Sequence, residues 1–380
     1  MSSMLLFFVC ALILICVFFA YPAIVIALSS IRKREPHTPR EDHPTVSILF
    51  ATHNEAEGIR QKLENALAQK YPRDKLEIII VDDGSTDRTA EIIRETASPF
   101  IKLLQQAQRR GKTAALNRAV SEAQGEILVF TDANAIFQPD AVQQLVKTFD
   151  AEGKIGVVCG ELQYQPHPQA VNDVESRYWN LEIRLKKAES HLGTLLGANG
   201  SIYAMPKSLY IPLREDLISD FIEPLLLCRR GYRTVYQPNA VSVEIGTRSL
   251  ASDYRRKKRI IQRGLYGLFV HHDLLNPLKS GWLACQLWAH KVLRWLTPLW
   301  LLGLFFATLA LQHRPFFRIF LILQIAAYSL GGIGILLHTR GCSPGVFRLP
   351  AYILMTLAAS VAGLWGLTTG QKIVTWEPQR

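Results

Sequence analysis

Four polar segments carry the side chains that could do chemistry: Thr52 to Glu55 (THNE), Asp82 to Asp87 (DDGSTD), Asp132 to Asn134 (DAN), and RRGKTAALNRA with its Lys112. Carboxylates gathered beside a cation suit a divalent ion bound to a diphosphate. Mg²⁺ or Mn²⁺ takes one or two protein oxygens and completes its shell with phosphate and water. Neither GxxxxGK(S/T) nor GxGxxG occurs, so P-loop and dinucleotide-binding chemistry lose support. Taken singly, DDGSTD also reads as a turn, with Gly84 at positive φ and Ser85, Thr86 or Asp87 capping the next helix. DAN alone reads as a loop.

The elements that must position these segments favour their convergence. VSILFA (Val46 to Ala51) precedes THNE and the helix-like EAEGIRQKLENALAQ; LEIIIV (Leu76 to Val81) precedes DDGSTD and TAEIIRETA; ILVFT (Ile127 to Thr131) precedes DAN and PDAVQQLVKTF. Such alternation predicts an α/β domain with a mostly parallel sheet covered on both faces. Ligands of such sheets bind outside the carboxyl ends of the strands. All three tips and Lys112, which opens a helix, are therefore expected at one edge.

Composition places this domain in a membrane protein. Of 380 residues 49% are hydrophobic, and Lys+Arg exceed Asp+Glu by 43 to 32, a net charge of +11. Disordered, collagenous and disulfide-scaffold classes are excluded. Six Cys without CxxC spacing suggest neither a zinc site nor a disulfide framework, and read as reduced thiols. Met4 to Leu28 holds no charged residue and is followed by Arg32, Lys33 and Arg34, the pattern of an uncleaved anchor whose following segment is cytoplasmic. Further apolar runs are Trp295 to Leu311, Ile319 to Leu337 and Leu349 to Thr369. The basic block Arg255, Arg256, Lys257, Lys258, Arg259 and Arg263, with Lys291 and Arg294, makes both flanks of the middle region positive. The expected division is an anchor at 1–28, a cytoplasmic domain at 29–270, an interfacial amphipathic helix at 271–294 and about three spans in 295–380, in the inner or plasma membrane. A lipid bilayer, and no nucleic acid, is the partner this charge implies.

Over about Val46 to Gly267 the chain resembles the inverting family 2 glycosyltransferases, with their Rossmann-like GT-A fold. The resemblance rests on VSILFATHNEAEGIRQKLENALAQKYP, IIIVDDGSTDRTAEI, GKTAALN and TDAN in that order. The membrane arrangement is similar to that of the cellulose, hyaluronan and poly-N-acetylglucosamine synthase branch. The resemblance implies a nucleotide-sugar held by Thr52, Asn54, Glu55, Asp82, Asp83, Lys112 and Asp132, and Mg²⁺ or Mn²⁺ on Asp132 and Asn134. It also implies an acceptor-side segment GANGSIYA with Asn199 and Gly200, and a catalytic base at Asp220 in SDFIEPLLLCRRGY.

Inverting transfer needs one carboxylate to take the proton of the attacking hydroxyl. The departing nucleoside diphosphate needs only its charge stabilised. A glycoside hydrolase would instead use two facing carboxylates. Without the resemblance, Asp220 and Glu223 read as a helix cap and its capping partner. Three departures stand out: DAN replaces DxD, Ser219 replaces Glu in the base motif, and QxxRW is absent. YRRKKRIIQRGLYG stands in its place, its Arg259 and Arg263 facing either diphosphate or anionic lipid.

The expected function is transfer of a sugar from a nucleotide donor, a UDP-sugar foremost, to a polysaccharide or lipid-linked acceptor in cell-envelope or exopolysaccharide synthesis. Two alternatives remain open: a polyprenyl-phosphate glycosyltransferase, and a catalytically silent nucleotide-sugar-binding subunit of a membrane complex.

Overall fold

The structure, a computed structural model, describes residues 2–32, 40, 42–150, 152–165, 173–245, 249–342 and 345–375, without side chains for 173–180. Lys33 and Arg34 of the first basic flank lie outside the described residues. Eight strands, β1 (Val46–Thr52), β2 (Leu76–Asp82), β3 (Ile101–Gln105), β4 (Ile127–Thr131), β5 (Ile136–Phe137), β6 (Ile155–Gln165), β7 (Ile202–Pro206) and β8 (Arg233–Ile245), form one sheet. Their order is β3-β2-β1-β4-β7-β6-β8-β5.

β1 is buried at all seven positions, as a central parallel strand must be. Because strand side chains alternate, its residues divide between two cores. Ile48 and Phe50 join Ile78 and Ile80 under helices α2 (Ile59–Leu67) and α5 (Ala141–Lys147). Leu49 and Ala51 join Ile79 and Val81 under α4 (Lys112–Glu122). Helix α3 (Thr89–Glu95) follows the β2 turn.

The sheet has the parallel majority expected, with antiparallel pairings added. β3, β2, β1 and β4 pair in parallel, as do β6 and β8, but β7 is antiparallel to β4 and β6, and β5 to β8. The helix before β7, α6 (Asp173–Leu192), sets Leu185 and Ala188 against Val25 of the N-terminal helix α1 (Ser3–Ile31). It is therefore not the crossover that a parallel neighbour requires. After β7 come α7 (Ser219–Arg229) and, beyond β8, the long basic α8 (Leu250–Val270).

Among the described residues three helices are long and apolar enough to cross a membrane: α1, α11 (Pro315–Thr339) and α12 (Gly345–Thr368). The run Trp295 to Leu311 forms a shorter helix, α10 (Thr297–Ala310), of 14 residues, which is long and apolar enough to span only together with α9 (Trp282–Trp295), from which it is bent by 63°. Pro298 explains the restart, since a residue without an N–H fits the first turn of a helix but not its interior. Helix α9 buries Leu283, Leu287 and His290 against protein while Trp282 and Trp288 stay exposed. His290 is held by α6, its Nδ1 2.7 Å from Glu189 Oε1 and its Nε2 3.2 Å from Glu182 Oε2.

Candidate functional site

Register brings the strand ends level, with Thr52 opposite Asp82 and Asp82 opposite Gln105. The tips after β1 and β2 then lock together. Asn54 has φ 52°, a left-handed conformation that asparagine tolerates. Its Oδ1 accepts the Thr86 N–H at 2.8 Å and its own N–H donates to Ser85 Oγ at 3.0 Å. The Glu55 N–H donates to Thr89 Oγ1 at 2.8 Å. Gly84 has the positive φ expected of the turn, 71°. Asp87 accepts the Thr89 N–H at 3.0 Å at the start of α3 and the Ala56 N–H at 3.1 Å. DDGSTD is therefore a turn, as one reading expected, and it lies at the edge where the strand ends meet.

The tandem aspartates differ in what they hold. Asp83, fully buried, accepts the N–H groups of Arg110 and Gly111 at 2.7 and 2.8 Å, so both its oxygens fix the loop that launches Lys112. Asp82 accepts the Ser85 N–H at 3.2 Å and Gln105 Nε2–H at 3.4 Å. Thr52 is buried at the end of β1.

Lys112, Asp132, Gly200 and Asp220 meet in one place. Lys112 Nζ pairs with Asp132 Oδ1 and lies 3.4 Å from the Gly200 carbonyl. A methyl group on Gly200 would lie 2.7 Å from Asp220 Oδ2 and 3.1 Å from Lys112 Nζ, so any larger residue there would push these two side-chain ends aside. Burial raises the Asp220 carboxyl above its ordinary value and the Asp132 charge adds to this, while Lys112 and Arg263 oppose it. Burial works against the Lys112 ammonium, yet Asp132 and Asp220 together hold it above its usual range.

Asp220 is not a helix cap. The residue preceding α7 is Ile218, with no side-chain cap bond. Glu223 instead accepts the Ile211 N–H at 2.9 Å in a fully buried position, and burial pushes its carboxyl up to about 8. A group that binds its proton more tightly when folded contributes stability that is complete below the unfolded value and is lost as pH rises through the folded one. Glu223→Gln mimics the protonated acid. Between about pH 5 and 8 the melting temperature of the parent protein is expected to fall relative to that of the variant. Parallel melting curves would refute this buried acid.

The remaining sequence-selected residues flank this centre. Asn199 accepts Lys186 Nζ–H at 2.6 Å and donates to the Gly160 carbonyl at 2.7 Å, so its amide shapes the segment beside Gly200. Arg263 donates to the carbonyls of Leu217 and Glu215, at 2.5 and 3.1 Å, propping the loop that leads into α7. Arg259, one turn earlier on α8, lies within the influence of Asp132 and Asp220; burial lowers its pKa and the two carboxylates oppose that. Asn134 is exposed on the DAN tip.

Among the described residues no group of three or more His, Cys, Asp or Glu could hold a metal ion. Asp132 already carries a cation in Lys112, and Asn134 adds an amide oxygen on the same tip. Such a donor set fits a hard divalent ion whose remaining ligands are diphosphate oxygens. Two groups near it were not selected from sequence. One is Lys62, fully buried. The other is Glu244 on β8, whose carboxyl burial and then the Asp132 charge raise to about 7. Lys62 sits in a helical pattern rich in charge, and nothing local distinguishes it from exposed Arg60.

Residues 47–205 match the model of the family described as Glycosyl transferase family 2. Poly-beta-1,6-N-acetyl-D-glucosamine synthase of Staphylococcus aureus (strain COL) is 28% identical over 254 residues, 65% of this chain and 60% of that protein. The protein of that name from Staphylococcus epidermidis is 27% identical over 225 residues, 58% of this chain and 54% of that protein. The chain thus spans about 60% of the length of the curated relatives it matches. Among solved structures, the mannosyltransferase PcManGT from Pyrobaculum calidifontis, in complex with GDP-Man and Mn²⁺, superposes with a TM-score of 0.73. It has 23% identity to this chain, and the match covers 97% of this chain and 100% of that one.

Proposed function

We propose, from the match of residues 47–205 to the model of Glycosyl transferase family 2, that the protein is a membrane-bound inverting glycosyltransferase. It moves a sugar from a nucleotide-sugar, a UDP-sugar foremost, to a polysaccharide or lipid-linked acceptor in exopolysaccharide or cell-envelope synthesis. The observation that carries this reading is the meeting of Asp220, Lys112 and Asp132 beside the Gly200 backbone. Asp220 takes the proton of the acceptor hydroxyl as that oxygen attacks the anomeric carbon, and its raised affinity for protons makes it a better acceptor than an exposed aspartate.

The tips at Asn54, Glu55 and Asp82 hold the nucleotide, and Asp83 keeps the Lys112 loop in place. A divalent ion on Asp132 and Asn134, when bound, would neutralise charge on the departing diphosphate. Lys112 and Arg259 supply fixed positive charge to the same oxygens, at the place where negative charge develops. With both basic flanks on one side of the bilayer, the domain faces the cytoplasm.

The test is release of nucleoside diphosphate by the detergent-purified chain from a panel of UDP- and GDP-sugars. Membrane extract supplies acceptor, and Mg²⁺ or Mn²⁺ is present or chelated. Metal-dependent release from one donor is expected. Nucleotide binding without release from any donor would replace this reading with that of a silent binding subunit.

A further inference from the structure

Lys62 is fully buried under the sheet, and burial pulls its ammonium down to about 7. Removing an ammonium from water is costly unless its donors are satisfied. Lys62 Nζ donates to Thr131 Oγ1 at 2.9 Å and to the Ala135 carbonyl, and lies 4.6 Å from the centre of the Phe137 ring. Its two acceptors bracket Asp132, Ala133 and Asn134. Three residues along α2, Asn65 exchanges hydrogen bonds of 2.8 Å with both backbone groups of Phe137, so one helix face grips the whole stretch from Thr131 to Phe137. Thr131 Oγ1, while accepting from Lys62, donates to the Ser201 carbonyl at 2.8 Å. A continuous path therefore runs from the ammonium through the Thr131 hydroxyl to the segment that carries Asn199 and Gly200.

We infer that Lys62 is a positioning residue, clamping the Asp132 to Asn134 turn from behind and tying it to the acceptor-side segment through Thr131 and Ser201. This rests on the reading of Asp132 as the metal-bearing carboxylate. A clamp and a mere nearby charge predict opposite signs. Deleting a positive charge close to a metal site should tighten metal binding, because like charges repel. Deleting a clamp should loosen it, because ligands left unsupported lose their geometry.

The experiment uses the full chain in detergent and titrates Mn²⁺ by electron paramagnetic resonance, with UDP or GDP saturating. Metal-free nucleotide affinity and melting temperature are measured on the same samples. Lys62→Met is expected to weaken Mn²⁺ binding roughly ten-fold or more with metal-free nucleotide affinity unchanged. Thr131→Val should shift it in the same direction, and the double variant should be no weaker than Lys62→Met, because the two act along one path. Unchanged or tighter Mn²⁺ binding in Lys62→Met overturns the inference, whatever happens to the melting temperature. So do additive losses. If Lys62→Met does not fold, unchanged Mn²⁺ affinity in Thr131→Val overturns it equally. Failure of the parent protein to bind Mn²⁺ with either nucleotide strikes the assignment of Asp132 itself, a result distinct from parental binding that Lys62→Met leaves intact.

Discussion

Replacing Asp220 by asparagine is expected to lower turnover about a thousand-fold, within the range that a general base contributes, while nucleotide and metal binding persist. Asparagine keeps the size and the polarity but cannot take a proton. The loss should appear in kcat, because the hydroxyl must be deprotonated only as it attacks. The pH profile offers a second check of sign. Asp220 must be ionised to act, and burial raises its carboxyl, so the acid limb of the parental profile should lie above the value near 3.9 of a free aspartate. A variant retaining more than about a tenth of parental turnover would remove Asp220 from the role of base.

Asp132→Asn should cost as much in turnover, on the order of a hundred- to a thousand-fold, but by another route. The variant keeps an oxygen yet loses the charge that a divalent ion would meet, and it leaves the Lys112 ammonium without its carboxylate partner. Metal affinity is therefore expected to fall with turnover, and higher Mn²⁺ should restore part of the rate. Isothermal titration of Mn²⁺ in the presence of nucleotide measures the first effect and initial rates across a metal series the second. Turnover lost at unchanged metal affinity would place the ion elsewhere. Asn134 makes this test sharp, because the tip carries a single carboxylate.

Much of this centre was legible because strands announce their own ends. In β1, β2 and β4 an apolar run stops where a polar tip begins, and a parallel sheet brings such ends to one edge. The tip residues follow from that rule. What did not follow is the division of labour among them. Asp82 and Asp83 are alike as neighbours in a string, yet strand alternation sends their side chains to different tasks, and Asp83 spends both oxygens on the backbone before Lys112.

Glu223 stood at capping distance from Asp220, but Pro206 to Leu213 returns a backbone N–H to it from outside the helix, a contact no local pattern contains. The antiparallel β7 depends on where α6 docks, which is a tertiary choice. The bend before α10 was written in Pro298. An apolar run longer than its helix concealed it.

Helix α8 joins two parts of the molecule more closely than a tether would. One face carries Arg259 and Arg263 toward the centre. The other meets α12, where Gly363 and Gly366 let Gln262 approach, Lys257 Nζ bonds to the Tyr352 hydroxyl at 3.0 Å, and Gln262 Nε2 reaches the Gln371 carbonyl at 2.5 Å. Small residues let two helices approach this closely. In a bilayer, the packing of α8 on α12 would hold the centre beside the membrane. A lipid-borne acceptor would then find it by lateral diffusion in two dimensions, and its encounter rate would follow its mole fraction among the lipids rather than its concentration in the surrounding volume.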